Sequence, residues 1–93
     1  MDNMKRILVV DDERLILKII TDILTKEGYE VLTAYNCEKA IEYLQSHTFD
    51  VVLSDIKMPK KTGIDLLEEI KNKDPNIPVI LMTGHGECIF VSS

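Results

Sequence analysis

Short apolar runs alternate along the chain with longer segments in which apolar residues recur every three or four positions. The runs fit buried β-strands and cover residues 7–10, 29–34, 51–54 and 79–82. β-Branched residues are frequent in them, which is typical of strands covered on both faces of a sheet. Pro78 agrees with this assignment because proline is tolerated at the first residue of a strand.

The segments between the runs predict amphipathic helices. Helical spacing of apolar residues begins at Ile16, and Gly28 is placed to end that helix in a left-handed conformation. Asn36 suits the cap of a second helix, and Thr62 with Asp65 resembles the capping box of a third. Alternating strands and helices predict right-handed crossovers and a parallel sheet. We therefore expect an α/β fold, doubly wound and flavodoxin-like, with strand order 2-1-3-4.

Length and charge narrow the possible functions. The 93 residues suffice for one small domain, and 11 basic against 16 acidic residues give a net charge of −5. This balance disfavours direct nucleic-acid binding, which depends on neutralising phosphates, and suits a cation or a basic partner. Cys37 and Cys88 lack metal-ligand spacing. The apolar run after Arg6 is too short for a signal sequence or membrane span, so we expect a cytoplasmic protein.

Several polar residues follow the predicted strands. Asp11 and Asp12 follow the first strand, Asp55 the third, and Thr83 the fourth. The ends of parallel strands meet at one edge of a sheet, where ligands bind at the switch in strand order. If strands 1 and 3 are neighbours, the three carboxylates lie within a few ångströms of one another.

Three clustered carboxylates have raised pKa values unless a cation lies among them. An all-oxygen site suits Mg²⁺, which also shields an incoming phosphoryl group from the acids. Asp11 and Asp12 form a pair able to face the metal, which leaves Asp55 as the nucleophile that forms an aspartyl phosphate. The Thr83 hydroxyl is placed to hydrogen-bond a phosphoryl oxygen.

Each of these residues also has a simpler interpretation. Asp12 and Glu13 could complement the dipole of the first helix, Asp55 could form a turn, and Thr83 could reflect strand propensity. Only their joint placement at one edge favours a site.

Three motifs resemble one family, the receiver domain of bacterial two-component response regulators. They are VVDDE at 9–13, DIKMPKKTG at 55–63 and LMTGHGE at 81–87, so the resemblance extends from about Lys5 to Glu87. It implies that Asp55 accepts a phosphoryl group from a histidine kinase and that Thr83 is the switch hydroxyl. It also implies Mg²⁺ held by Asp12 and Asp55 with Asp11 in support, and by the Lys57 backbone carbonyl. Such a domain is a signalling acceptor without a separate turnover substrate. The GHG after the threonine is similar to receivers that drive transcriptional activators of the ATPase type.

The chain departs from this family after Glu87. Family members continue with a helix, a fifth strand ending in a lysine that pairs with the phosphoryl group, and a last helix, whereas only CIFVSS follows here. We therefore assign residues 1–87 to an incomplete receiver domain that lacks the usual last strand and helices, and 88–93 to a divergent tail. The missing lysine predicts slower phosphorylation or a poorly coupled switch.

The missing strand also predicts an exposed edge at strand 4, residues 79–82. Such an edge invites pairing, so we expect a homodimer or larger assembly, with residues 89–91 available as an added strand. The alternative is a disordered tail.

Two rival functions remain. A Mg²⁺-dependent phosphohydrolase would carry its nucleophile after the first strand with a second aspartate two positions later, but Glu13 stands there after Asp11 and no cap segment occurs. The other rival is a shortened, signalling-impaired receiver that acts as an oligomerising or partner-binding module.

Overall fold

The described residues form one five-stranded sheet with helices on both faces. The computed structural model describes residues 4–55, 63–73, 76–82 and 88–91. The elements are β1 (Arg6–Val10), α1 (Arg14–Lys26), β2 (Glu30–Ala34), α2 (Cys37–Ser46), β3 (Val51–Asp55), α3 (Gly63–Lys73), β4 (Val79–Met82) and β5 (Cys88–Val91). The strand order is β2-β1-β3-β4-β5, and the first four strands are parallel. The predicted α/β fold with order 2-1-3-4 is confirmed.

The sheet divides the core into two layers, as its interior strand β1 shows. The residues Leu8 and Val10 of this strand belong to the larger buried cluster, which includes side chains of α2 and α3. Ile7 and Val9 point to the opposite face and pack with Leu17 of α1. Because successive side chains of a strand point to opposite faces, a run that is apolar throughout requires helices on both sides. This arrangement keeps the strands buried and leaves their ends accessible.

The predicted ends of α1 and α2 are observed. The side chain of Asn36 accepts a hydrogen bond from the backbone N–H three residues later, at 2.7 Å. Gly28 has φ +94°, and its N–H donates to the carbonyl of Thr25 at 3.0 Å. The N–H of Tyr29 donates to the carbonyl of Leu24 at 3.1 Å. These two bonds satisfy the last carbonyls of α1 in a Schellman motif. The predicted capping box at Thr62 and Asp65 lies outside the residues whose side chains are described.

The strand β5 changes the expected edge of the sheet. It pairs with β4 in antiparallel orientation, with Val91 opposite Val79 and Cys88 opposite Met82. The prediction of an exposed edge at strand 4 is therefore wrong, because residues assigned to a tail occupy that edge. Only residues 83–87 separate the two strands, whereas a parallel crossover needs a dozen or more residues. Residues 88–91 can therefore join the sheet only as an antiparallel strand.

Candidate functional site

The register of β1 and β3 places two acids side by side. Val10 lies opposite Ser54 in these parallel neighbours, so Asp11 and Asp55, one position further along, lie at the same level of the sheet. Asp12 is the next residue of the β1–α1 connection. The carboxyl ends of the strands thus bring together the three acids that the sequence singles out.

The three carboxylates form a compact cluster. One oxygen from each of Asp11, Asp12 and Asp55 lies within 4.8 Å of the others. Asp11 is only 5% exposed, Asp55 is half-buried and Asp12 is exposed. The cluster therefore has one member in the protein interior and one in contact with water.

Two backbone hydrogen bonds fix Asp11. Its own N–H donates to the carbonyl of Ala34 at 3.0 Å, which extends the β1–β2 pairing by one residue. Its Oδ1 accepts a hydrogen bond from the N–H of Glu13 at 2.9 Å. Sequence reasoning missed the second bond, although an aspartate two residues before the N-cap of a helix favours this turn. Glu13 stands at the N-cap of α1, and its side chain makes no capping hydrogen bond.

The electrostatics of the cluster are unfavourable to ionised Asp11. Burial raises the pKa of Asp11 above its ordinary value of 3.8, and the hydrogen bond from Glu13 opposes this shift. The negative charges of Asp55, Asp12 and Glu13 raise the pKa of Asp11 further. A cation among these carboxylates would favour the ionised form and reverse the effect.

The backbone next to the third acid is also anchored. The hydroxyl of Ser54 donates to the carbonyl of Asp55 at 3.0 Å, and Ser54 is fully buried. This hydroxyl therefore holds the main chain at the point where β3 ends. The sequence predicted Ser54 as a residue of the third strand but did not predict that its hydroxyl anchors the main chain.

The other predicted site residues cannot be placed in the same way. Lys57, whose carbonyl was expected to bind the metal, and Thr83, the expected switch hydroxyl, lie outside the described residues. The structure therefore brings together Asp11, Asp12 and Asp55, and the remaining assignments stay predictions.

The donor set fits a hard divalent cation. Three carboxylates supply only oxygen ligands, and Asp12 is exposed, so bound water can complete the coordination; Mg²⁺ prefers such sites. Elsewhere in the described ranges no second group of three or more acids, histidines or cysteines is close enough to hold a metal. Within the same ranges, no helix has the length and apolar character needed to cross a bilayer.

Comparison with known proteins agrees with this geometry. Residues 7–92 match the response regulator receiver domain. The chain is 40% identical over 88 residues to the chemotaxis protein CheY of Thermotoga maritima, covering 94% of this chain and 73% of that protein. It is 39% identical over 80 residues to the transcriptional regulatory protein GlrR of Escherichia coli, covering 86% of this chain but only 18% of the regulator.

Solved structures of the response regulator TrrA from Thermotoga maritima are similar in fold. Its complex with Mg²⁺ and beryllofluoride has a TM-score of 0.83 and 43% identity, covering 88% of this chain and 73% of TrrA. A second TrrA structure, in complex with the histidine kinase ThkA, has a TM-score of 0.83 and 42% identity. This match covers 90% of this chain and 72% of the matched chain. The resemblance and the flavodoxin-like fold predicted from the sequence are thus confirmed, and the chain belongs to the response regulator receiver domain family.

Proposed function

We propose that this chain is a phosphoacceptor of two-component signalling, in which Asp55 receives a phosphoryl group from a histidine kinase. The observation that carries this proposal is the approach of Asp11, Asp12 and Asp55 to within 4.8 Å at the ends of β1 and β3. Relatedness to TrrA, which has been solved with Mg²⁺ and with a kinase, supports it. The proposed setting is the cytoplasm, with no direct contact to nucleic acid.

Each residue of the site has a proposed part. Asp11, Asp12, Asp55 and the backbone carbonyl of Lys57 hold Mg²⁺, which supplies positive charge against the oxygens of the phosphoryl group. A carboxylate oxygen of Asp55 attacks phosphorus, the bond between phosphorus and the kinase imidazole breaks, and its electron pair stays on the imidazole nitrogen. The Thr83 hydroxyl donates to a phosphoryl oxygen. The group remains on the protein, so this is an acceptor and no separate substrate is turned over.

Labelling with a small acyl phosphate tests the proposal. Intact-mass and peptide mass spectrometry should find one phosphoryl group on Asp55 when Mg²⁺ is present and none when it is chelated. Asp55→Asn should abolish labelling, while Glu68→Gln, at an exposed position on α3, should not change it. Labelling that persists in Asp55→Asn or needs no Mg²⁺ would contradict the proposal.

A second candidate is a signalling-impaired receiver that serves as an interaction module. The observation favouring it is that Cys88–Val91 pairs in antiparallel orientation with β4 and so forms the edge of the sheet. Such a module should keep the same association state after Asp55→Ala and after addition of beryllofluoride with Mg²⁺. A change of association state on either treatment would instead support the phosphoacceptor.

A further inference from the structure

Ser54 is a polar residue in the buried part of the sheet. It lies in β3 between Val10 of β1 and Leu81 of β4, and its side chain is fully buried. Among the residues that the structure describes, Ser54 and Asp11 are the two buried polar or charged ones. Both lie at the ends of the two strands that bring the acid cluster together. A buried hydroxyl destabilises the folded state unless it is hydrogen-bonded, so the partner of this hydroxyl matters.

The side chains of Ser54 and Asp55 project from opposite faces of the sheet. Val52 belongs to the larger buried cluster, which includes side chains of α2 and α3, and Ser54, two positions later, projects to the same face. Asp55 is the next residue, so its carboxylate projects to the other face, together with that of Asp11. The strand itself therefore separates the Ser54 hydroxyl from the carboxylates.

One hydrogen bond connects this hydroxyl to the site through the main chain. The Ser54 hydroxyl donates to the backbone carbonyl of Asp55 at 3.0 Å. This carbonyl belongs to the peptide group that follows Asp55, so the bond restricts the rotation of that group about the Cα–C bond. Because the allowed side-chain rotamers depend on the backbone dihedral angles, the same bond limits the directions that the carboxylate can take.

The position of Asp55 explains why such a restraint is useful. Asp55 is the last residue of β3, and its carboxylate lies within 4.8 Å of two others. Like charges at this distance repel, so an unrestrained carboxylate at the end of a strand would turn toward water. Asp11 is held by its bonds to the carbonyl of Ala34 and the N–H of Glu13. The hydroxyl of the preceding serine supplies a corresponding restraint for Asp55.

We infer that Ser54 is a positioning residue for Asp55, whose main chain it holds so that the carboxylate stays beside Asp11 and Asp12 and faces an incoming phosphoryl group. The part that concerns the phosphoryl group rests on the proposed function. Ser54 touches neither the metal site nor the reacting atoms, so it acts only through Asp55. Serine suits this place because its short side chain reaches the neighbouring carbonyl, whereas alanine has no group to donate.

NMR without metal or phosphodonor tests the placement. Three-bond couplings from Cγ of Asp55 to its backbone nitrogen and carbonyl carbon report the χ1 angle. They should indicate one rotamer in the parent chain and an average over rotamers in Ser54→Ala. Ser54→Thr keeps the hydroxyl and should retain the parent couplings, whereas Ser54→Cys has only a weak donor and should resemble Ser54→Ala. Averaged couplings in the parent, or a single rotamer in Ser54→Ala, would overturn the inference.

The rate of labelling by a small acyl phosphate at saturating Mg²⁺ tests the consequence. Ser54→Ala should be labelled on Asp55 roughly five- to tenfold more slowly than the parent, the loss expected for one hydrogen bond. Ser54→Thr should restore most of the rate. Val52→Ala is the control, because it removes buried atoms from the same strand and face. It should melt at a lower temperature than Ser54→Ala and keep the parent rate. Equal slowing in Val52→Ala would assign the effect to packing and overturn the inference.

The two measurements separate the role of Ser54 from the phosphoacceptor role of Asp55. A parent chain that is not labelled, with couplings that change in Ser54→Ala and not in Ser54→Thr, would reject the phosphoacceptor and support the placement by Ser54. A labelled parent whose rate and couplings are the same in Ser54→Ala would keep the phosphoacceptor and reject the positioning role. Far-UV circular dichroism of each variant should be that of the folded parent.

Discussion

Asp11 shows how one residue can be costly for folding and useful for the site. It is buried next to Asp12 and Asp55, and burial raises its pKa above 3.8. The N–H of Glu13 holds Oδ1 in place, so the side chain cannot turn away to water without losing a hydrogen bond. The fold thus keeps a carboxylate where its charge is unfavourable until a cation arrives.

Replacement of Asp11 should reveal this cost. Asp11→Asn keeps an oxygen for the Glu13 N–H and removes the charge, so the variant should unfold at higher urea concentration than the parent near pH 7 without Mg²⁺. Because the folded-state pKa is raised, ionisation of Asp11 destabilises the folded state as pH rises above 3.8. The advantage of the variant should therefore shrink as pH falls toward that value. Glu68→Gln serves as the exposed control, and an advantage that grows at low pH would contradict the assignment.

The three clustered acids could be predicted because the register of parallel neighbours follows from buried apolar runs. The difference in burial between Asp11 and Asp12 could not be predicted from the sequence. It depends on where α1 begins, at Arg14, and on the turn that the Glu13 amide makes with Asp11. Such a turn lies within the usual uncertainty of a helix boundary, so the residue pattern treated the two acids as a pair, and only the family resemblance gave Asp12 the direct role and Asp11 a supporting one.

At the scale of elements, capping residues place the helices relative to the strand ends. The Asn36 side chain holds the start of α2, and Gly28 lets the chain leave α1 in a left-handed conformation. Both features are local in sequence, and both could be predicted. The orientation of β5 depends instead on the length of its connection to β4 and on the sheet edge that β4 provides.

Loss of the α2 cap should cost stability without changing the fold. Asn36→Ala removes the acceptor for the N–H of Lys39 and should lower the free energy of unfolding by about 1 kcal/mol. Asn36→Asp keeps an acceptor and should lie close to the parent. Urea denaturation followed by circular dichroism provides the measurement, and equal losses in both variants would contradict the capping role.

Gly28 offers a separate test of backbone strain. Its φ is +94°, and a Cβ added there would meet no atom within 4 Å. Gly28→Ala should therefore destabilise by about 1 kcal/mol through the backbone alone. Glu27→Ala at the neighbouring position is the control and should have a smaller effect. A Gly28→Ala variant with unchanged thermal stability would show that the backbone relaxes out of this conformation.

Removal of β5 should expose the edge that the sequence alone suggested was open. A variant ending at Glu87 loses the antiparallel partner of β4 and leaves its backbone groups unpaired. We expect a lower melting temperature and concentration-dependent aggregation in light scattering. Retention of the parent's melting temperature and solubility would show that β5 contributes little to the sheet.

At the scale of the whole molecule, the fold predicted from the sequence agrees with the structure in its sheet and the helices on both faces. It differs from the structure at the β4 edge of the sheet. The parallel order β2-β1-β3-β4 follows from alternating elements and right-handed crossovers. The fifth strand is a property of the assembled sheet, because it depends on the edge that β4 offers. It cannot be derived from the pattern of one segment.

A Mg²⁺ titration observed by NMR tests the central claim most directly. Backbone amide resonances of Asp11, Asp12 and Asp55 should shift together along one saturable curve, with smaller changes at the opposite ends of the strands. Asp12→Asn should weaken the binding, while Glu68→Gln should leave the curve unchanged. Resonances of the three acids that do not respond to Mg²⁺, or that respond equally in Asp12→Asn, would contradict a metal site formed by these carboxylates.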